Sequence, residues 1–237
     1  MFAPREINQK RCQSMRTNTQ NRIATGRYVN AVIATAAAFG VYAGFLGMEH
    51  GFLEALHGNV ATKSLKIMAA DFELPFPFGH EPAMTVIPNF LVTGIVAMVI
   101  GLAIILWSSL FVQRKNGADV LFLLSIALLL GGGGFGPISL LVIACIAASR
   151  INRPMAWWRR WLPVSIRRGL TKLWRPSLIA ALLWVPGEFI LGQVFNLKND
   201  HRQVLTNLNL ILSYPMLALF VLTLITGFAY EIDRARE

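Results

Sequence analysis

Five long stretches of this sequence are almost free of charged residues, and no other feature constrains the fold as strongly. A helix needs about 20 apolar residues to cross a bilayer, and each stretch approaches or exceeds that length. Of the 237 residues, 55% are hydrophobic and only 14% are charged. A soluble domain of this size needs more polar and charged residues on its surface. The stretches are 28–48, 84–112, 119–149, 177–195 and 204–230. We therefore predict an all-α, polytopic transmembrane helical bundle.

The N-terminal segment is predicted to stay outside the membrane. Residues 1–27 are polar and basic, and the apolar run that follows is too extended for an ordinary cleaved signal. We expect a disordered basic cytoplasmic tail over 1–27 and a single transmembrane helical domain over 28–237. Cys12 in the tail and Cys145 in an apolar run have no spacing that indicates a disulfide, metal or redox site.

The longest apolar run has a glycine-rich middle. As one helix, residues 120–150 would be about 45 Å long, well beyond the hydrocarbon core. Residues 131–137 read GGGGFGP, and glycine and proline are poor helix formers but good turn formers. We predict a hairpin of two segments, 119–133 and 137–153. The alternative is a re-entrant pair that stops partway, since such breaks form ion sites in channels and transporters.

The positions of Lys and Arg set the predicted orientation. Positive residues favour the cytoplasmic side, and a hairpin brings the basic clusters before and after it to the same side. With N- and C-termini cytoplasmic, 18 of the 22 Lys and Arg residues fall inside and four outside. We therefore expect about six segments in a multi-pass protein of the cell membrane. The segments are 28–48, 86–112, 119–133, 137–153, 177–195 and 206–230, and the outer cations are Lys63, Lys66, Lys198 and Arg202.

The basic segment 150–175 carries four of the six tryptophans. Tryptophan favours the headgroup level and arginine pairs with anionic lipid, so we expect this segment to lie at the membrane interface and bind anionic lipids. The net charge of +10 does not indicate a nucleic-acid partner, because the basic residues lie between or beside the apolar runs. The four tryptophans are Trp157, Trp158, Trp161 and Trp174.

The stretch GMEHGFLEALHG, 47–58, ends the first apolar run with ionisable residues. If 40–58 forms one helix, its glycines share a face about 60° wide, and His50, Glu54 and His57 share a neighbouring face. Small residues spaced in this way allow a second helix to approach closely. We expect this glycine stripe to mediate helix packing, either within the chain or in a homo- or hetero-oligomer. The stripe consists of Gly40, Gly44, Gly47 and Gly51.

The same helix end suggests a metal-binding hypothesis. All four histidines fall on the predicted outer side. The sequence GHEP follows in the same outer loop, where His80 and Glu81 can lie over the face that carries Glu54 and His57. Imidazole and carboxylate ligands without thiolate suit Zn²⁺ or a similar first-row ion. We predict that His50, Glu54 and His57 converge with His80 or Glu81 in an outer-facing pocket. The alternative is a polar helix end that faces water or hydrogen-bonds to a neighbouring helix.

Glu188 is the acidic residue placed deepest in the predicted segments. It follows Pro186–Gly187, which is expected to kink or open the helix. A carboxylate at that depth is costly and is a functional candidate by default. We expect Glu188 either to carry a proton or cation, or to be a structural group that hydrogen-bonds to the segment 206–230.

Three motifs, GMEHGFLEALHG, AMTVIPNFLVTGIVAMVIGL and GGGGFGPISLL, together resemble small bacterial polytopic integral membrane proteins. The resemblance covers roughly the first four segments, implies a bacterial or archaeal cell membrane, and transfers no activity or functional residue. No Walker loop, G-x-S-x-G or H-E-x-x-H motif is present. We expect a protein of transport or channel-like type, or an accessory to a transporter. The alternatives are a membrane-embedded metal-dependent enzyme with an outer Glu/His site and a non-catalytic structural or sensory subunit.

Overall fold

A computed structural model describes residues 30–68, 82–151, 153, 155–194 and 202–234. From Ala31 onward these residues form one compact unit. They contain seven helices and one two-stranded sheet, so the predicted all-α class is confirmed. The predicted tail, 1–27, lies outside the described residues. In chain order the elements are α1 (Ala31–Ala55), β1 (Lys66–Met68), β2 (Pro82–Met84), α2 (Phe90–Leu110), α3 (Gly117–Leu130), α4 (Phe135–Ala148), α5 (Ala156–Trp161), α6 (Val164–Val194) and α7 (Arg202–Arg234).

Three helices are long and apolar enough to cross a membrane. They are α1, α2 and the part of α7 from Tyr214 to Arg234. Helices α3 and α4 are apolar but contain only 14 residues each. At 1.5 Å per residue each is about 21 Å long, which is less than the ~30 Å of the hydrocarbon core. Length and composition therefore support three membrane-spanning helices in the described part of the chain.

Helix α1 ends earlier than the sequence predicts, before the last residue of the predicted polar face. Its last residue is Ala55, and Gly58 adopts a left-handed φ of 75° just beyond it. A left-handed glycine is a common helix terminator, because it lets the chain turn away while the last carbonyl groups are still bonded. The prediction of one helix over 40–58 is therefore wrong for the last turn, and His57 lies after the helix. The antiparallel pair β1–β2 then connects α1 to α2.

The glycine-rich break predicted within residues 131–137 is present and occupies the first part of that stretch. It comprises residues 131–134, and the following Phe-Gly-Pro already forms the first turn of α4. Proline is tolerated there because the amide it lacks would have no helical partner. Gly132 and Gly134 have positive φ values of 96° and 76°, which glycine adopts without steric cost.

The basic segment 150–175 contains α5 and the start of α6. Trp174 is 3% exposed, and its Nε1 donates a hydrogen bond to Thr35 Oγ1 at 3.0 Å. Trp174 is therefore covered by protein and does not face lipid, unlike the expectation for this segment. Its ring instead fills the contact between α6 and α1, where the hydrogen bond satisfies the indole donor.

Helix α1 is the centre of the bundle and runs antiparallel to α2. Gly40 packs against Ser108 near one end of α1, and Gly51 packs against Gly94 near the other. The break between α3 and α4 lies at the C-terminal end of α1. At the N-terminal end, the Ala31 amide donates to the Glu231 carboxylate of α7 at 3.2 Å. The bundle thus has one end that carries the break and the sheet, and an opposite end that carries the start of α1 and the end of α7.

Candidate polar site at the glycine-rich break

Two polar side chains near the C-terminal end of α1 are buried against the break. Glu54 has no exposed surface and His50 is 4% exposed. They are four residues apart and therefore lie one turn apart on the same face of α1. Because acidic side chains are almost never fully buried unless they are paired, these two residues form the main candidate site of the described chain.

The break fits closely around both side chains because two of its residues lack a Cβ atom. A Cβ atom on Gly132 would lie 2.9 Å from Oε1 of Glu54 and closer still to Oε2. A Cβ atom on Gly134 would lie 2.9 Å from Nδ1 of His50. The same two glycines have the positive φ values. Both the backbone conformation and the side-chain contacts therefore require glycine at these positions.

Hydrogen bonds from β2 and α2 hold the break in position. The Gly132 amide donates to the Met84 carbonyl at 3.1 Å. The buried Thr93 hydroxyl donates to the Gly131 carbonyl at 3.0 Å, and Thr93 also shares a hydroxyl–hydroxyl hydrogen bond with Thr85. These contacts satisfy backbone groups that non-helical chain would otherwise leave unpaired in apolar surroundings.

Several polar atoms of the site have no hydrogen-bond partner among the described residues. They include both carboxylate oxygens of Glu54 and Nε2 of His50. The carbonyl oxygens of Gly132 and Gly133, two buried residues, also accept no hydrogen bond from this part of the chain. A buried polar atom without a partner costs about 1–3 kcal/mol, and more if it is charged. These atoms keep hydrogen-bonding capacity that no described residue uses, which makes this cluster a candidate binding site.

His57, the third metal ligand predicted at the end of α1, has a different environment from His50 and Glu54. The His57 ring stacks on Phe90, with ring centroids 4.5 Å apart and an angle of 28° between the planes. Within the described ranges, no three His, Cys, Asp or Glu side chains are grouped closely enough to hold a metal ion. His80 and Glu81 lie outside those ranges, so the predicted convergence with them stays a prediction.

The glycine stripe of α1 packs within the chain. A Cβ atom on Gly44 would lie 2.6 Å from the Gly101 carbonyl oxygen, and one on Gly51 would lie 2.6 Å from the Gly94 carbonyl oxygen. The backbones of α1 and α2 are therefore in direct contact. The other two stripe glycines lie against a serine of α2 and a leucine of α3. Helices of the same chain cover these glycines. The oligomer expected through the stripe stays a prediction.

Glu188 lies in α6, two residues after Pro186. Helix α6 continues through that proline, so the helix does not open there, and the expected kink stays a prediction. Packed helices tolerate an internal proline because neighbouring groups satisfy the carbonyl it frees. The side chain of Glu188 is not among those that the structure describes, and its proposed role in carrying protons or cations stays a prediction.

The sequence does not distinguish Arg167 from the other basic residues of 150–175, yet the structure buries it. Arg167 is 1% exposed, and its Nε donates a hydrogen bond to Oδ1 of Asp233 at 3.1 Å. The pair joins α6 to α7. The only sequence signal for this pairing is that Asp233 is an acidic residue at the end of an apolar run, on the same predicted side as the basic segment.

The fold and the site together define a helical bundle with three helices of membrane-spanning length and a buried acid–imidazole pair. No protein-family model, no curated protein and no solved structure matches the chain. The resemblance to small bacterial polytopic integral membrane proteins therefore stays a prediction. The function is argued below from the site.

Proposed function

We propose that this chain is a multi-pass protein of the cell membrane, of transport or channel-like type, and that Glu54 and His50 handle its substrate, a small cation or a proton. The observation that carries the proposal is the Glu54 carboxylate, which is fully buried, has no hydrogen-bond partner among the described residues and lies against a break between two short helices. Ionisable groups in such positions are costly, and they commonly mark ion or proton pathways.

The break itself supports the same function. Non-helical backbone is tolerated at membrane depth where protein buries it or where it lines a cavity. In transporters, discontinuous helices bring free carbonyl groups and helix ends to the bound ion or substrate. Here the C-terminal end of α3 and the N-terminal end of α4 meet at residues 131–134, where Gly132 lies against Glu54 and Gly134 against His50.

The direction of the helices supports an orientation with cytoplasmic termini. Helices α1, α2, α3, α4, α6 and α7 run alternately in opposite directions, which accounts for the six segments that we propose. The end of the bundle that carries the start of α1 also carries the basic residues around 114–115 and 150–175. Because positive residues favour the cytoplasm, we place the break and the sheet towards the outer side of the membrane, with the break still at membrane depth. In this arrangement α3 and α4 form a hairpin with its tip towards the outer side.

Exposed basic residues support the binding of anionic lipids at the cytoplasmic surface. Arg159, Arg160, Arg168 and Lys172 are all exposed on α5 and the first turns of α6. Each cation near an anionic membrane surface contributes about 1 kcal/mol of attraction. This role is separate from that of the buried site and does not depend on it.

The test is a flux assay on the purified full-length protein in liposomes. With an imposed gradient of protons, Na⁺ or K⁺, the wild type should move at least one of these ions faster than liposomes without protein. Glu54→Gln keeps the shape of the side chain but removes its charge, and it should abolish the flux. Glu49→Gln is the matched control, because it changes an acid of the same helix that lies about 140° around the helix from Glu54, and it should retain the flux.

Two results would contradict the proposal. The first is wild-type liposomes that are indistinguishable from empty ones under all three gradients. The second is a Glu54→Gln variant that folds and transports like the wild type. Circular dichroism and size-exclusion profiles of each variant would separate loss of function from loss of structure.

A further inference from the structure

We infer that the site binds one dehydrated alkali-metal cation, with the Glu54 carboxylate as its charged ligand and the carbonyl oxygens of the break as neutral ligands. This inference rests on the proposed function and names the class of its substrate. It differs from the Zn²⁺ that the sequence favours. Three properties of the site favour an alkali ion: its oxygen ligands, its single negative charge and its small number of side-chain ligands.

The free acceptors are mostly oxygen atoms and belong to adjoining residues. Both oxygens of Glu54 lack a partner, and the carboxylate touches the backbone of Gly132. The carbonyl oxygens of Gly132 and of Gly133, which follows it directly, accept no hydrogen bond from any described residue. Rings and clusters of backbone carbonyls replace the hydration shell of K⁺ in channels, and unwound carbonyls bind Na⁺ in transporters. A buried carboxylate beside a break with two unbonded backbone carbonyls provides the type of oxygen atoms that alkali ions bind.

The charge of the site matches a monovalent ion. Once deprotonated, Glu54 brings one negative charge, and no Lys or Arg in the described part of the chain forms an ion pair with it. One bound alkali ion would neutralise that charge. A divalent ion would leave a net positive charge in a buried site, which is costly in a medium of low dielectric constant.

The side-chain ligands of the described residues are too few for a first-row transition metal. Protein sites for Zn²⁺ supply three or four nitrogen, sulfur or carboxylate ligands, and no group of three such side chains exists within the described ranges. His50 supplies a single imidazole, and its Nδ1 side faces Gly134. A carbonyl-rich site with one carboxylate therefore favours an ion that binds through oxygen dipoles.

The test is the effect of alkali salts on thermal unfolding of the full-length protein in nanodiscs, at constant pH and constant ionic strength, with choline chloride as the reference salt. We expect NaCl or KCl to raise the melting temperature by several degrees, in a saturable way, for the wild type and for Glu49→Gln. Glu54→Gln should lose the response. A wild type that does not distinguish NaCl and KCl from choline chloride would overturn the inference, as would stabilisation by ZnCl₂ alone.

A second measurement covers the case in which Glu54→Gln does not fold. Infrared difference spectra of the wild type, recorded on exchange of choline for Na⁺ or K⁺, should show a shift in a carboxylate stretching band. Absence of any carboxylate change with either ion would also overturn the inference.

These experiments separate the inference from the proposed function. Proton flux that depends on Glu54, without any response to alkali salts, would support the proposed function and reject the alkali ion. Binding of Na⁺ or K⁺ that depends on Glu54, without flux of any ion, would support the cation site and reject transport.

Discussion

The carboxylate of Glu54 is in direct contact with the backbone of Gly132, so closely that a Cβ atom on the glycine would lie 2.9 Å from Oε1. This contact joins the last turn of α1 to the break between α3 and α4. It also explains why the break contains glycine at a position where φ is 96°, since a side chain would meet both a strained backbone and an occupied space.

Gly132→Ala should destabilise the protein. The strained backbone alone is expected to cost about 1–3 kcal/mol, and the new methyl group would displace the Glu54 carboxylate. Gly169→Ala is the control, because a Cβ atom there meets nothing within 4 Å and alanine favours the helix. Thermal unfolding in detergent measures both. Equal melting temperatures for the two variants would show that the break relaxes around the methyl group.

Gly44→Ala should separate α1 from α2. Its Cβ atom would lie 2.6 Å from the Gly101 carbonyl oxygen, and because this is backbone the helices themselves must shift. Overpacking of this kind typically costs about 1–3 kcal/mol. Gly187→Ala in α6, where a Cβ atom meets nothing within 4 Å, should leave the melting temperature unchanged or raise it. A Gly44→Ala protein as stable as Gly187→Ala would contradict the close helix contact.

Thr93→Val should loosen the break without changing the volume of the side chain much. It leaves the buried Gly131 carbonyl without its hydrogen bond, at a cost of about 1–3 kcal/mol. Hydrogen exchange at the amides of residues 131–134 should become faster. Thr62→Val is the control, because its hydroxyl donates a long hydrogen bond of 3.4 Å in a half-exposed position. Unchanged exchange in Thr93→Val would show that the hydroxyl does not restrain the break.

Trp174→Phe and Thr35→Val should show energetic coupling. Each removes one partner of the 3.0 Å hydrogen bond between α6 and α1, and hydrogen bonds between membrane helices contribute about 0.6 kcal/mol on average, with a maximum near 1.7. A double-mutant cycle of unfolding free energies isolates this term. Strictly additive effects of the two substitutions would mean that the indole and the hydroxyl do not interact.

Single cysteines should report the orientation of the bundle. In a background of Cys12→Ser and Cys145→Ala, Ser64→Cys should react with an impermeant thiol reagent added to intact cells, and Ser165→Cys should not. Both positions are exposed in the structure, so both should react after permeabilisation. Labelling of Ser165→Cys in intact cells would reverse the inside and outside assignments.

The broad class of the fold follows from local patterns, and these were predictable. Long apolar runs predict the helices, and GGGG predicts the break because four glycines disfavour a helix whatever surrounds them. The spacing of Gly44 and Gly51 likewise predicts a face suited to close packing. Patterns of this kind depend only on residues that are near one another in the chain. The local structure that they predict is therefore also present in the folded protein.

The end of α1 was less predictable. The face shared by His50, Glu54 and His57 assumes that the helix continues to residue 58, but the chain turns after Ala55. Helix ends depend on which conformation the last glycine adopts, and Gly58 has a positive φ. His57 therefore leaves the face on which the other two residues remain.

By itself, the sequence determines that this chain is apolar enough to form membrane-spanning helices, that one apolar run is interrupted by glycine, and that α1 has a glycine face. Only the tertiary structure decides that the interruption encloses Glu54, that Trp174 faces Thr35 rather than lipid, and that Arg167 pairs with Asp233. The reason is physical. Periodicity fixes which residues share a face of one helix, whereas contacts between residues far apart in the chain depend on how the helices pack, and no local pattern encodes that arrangement.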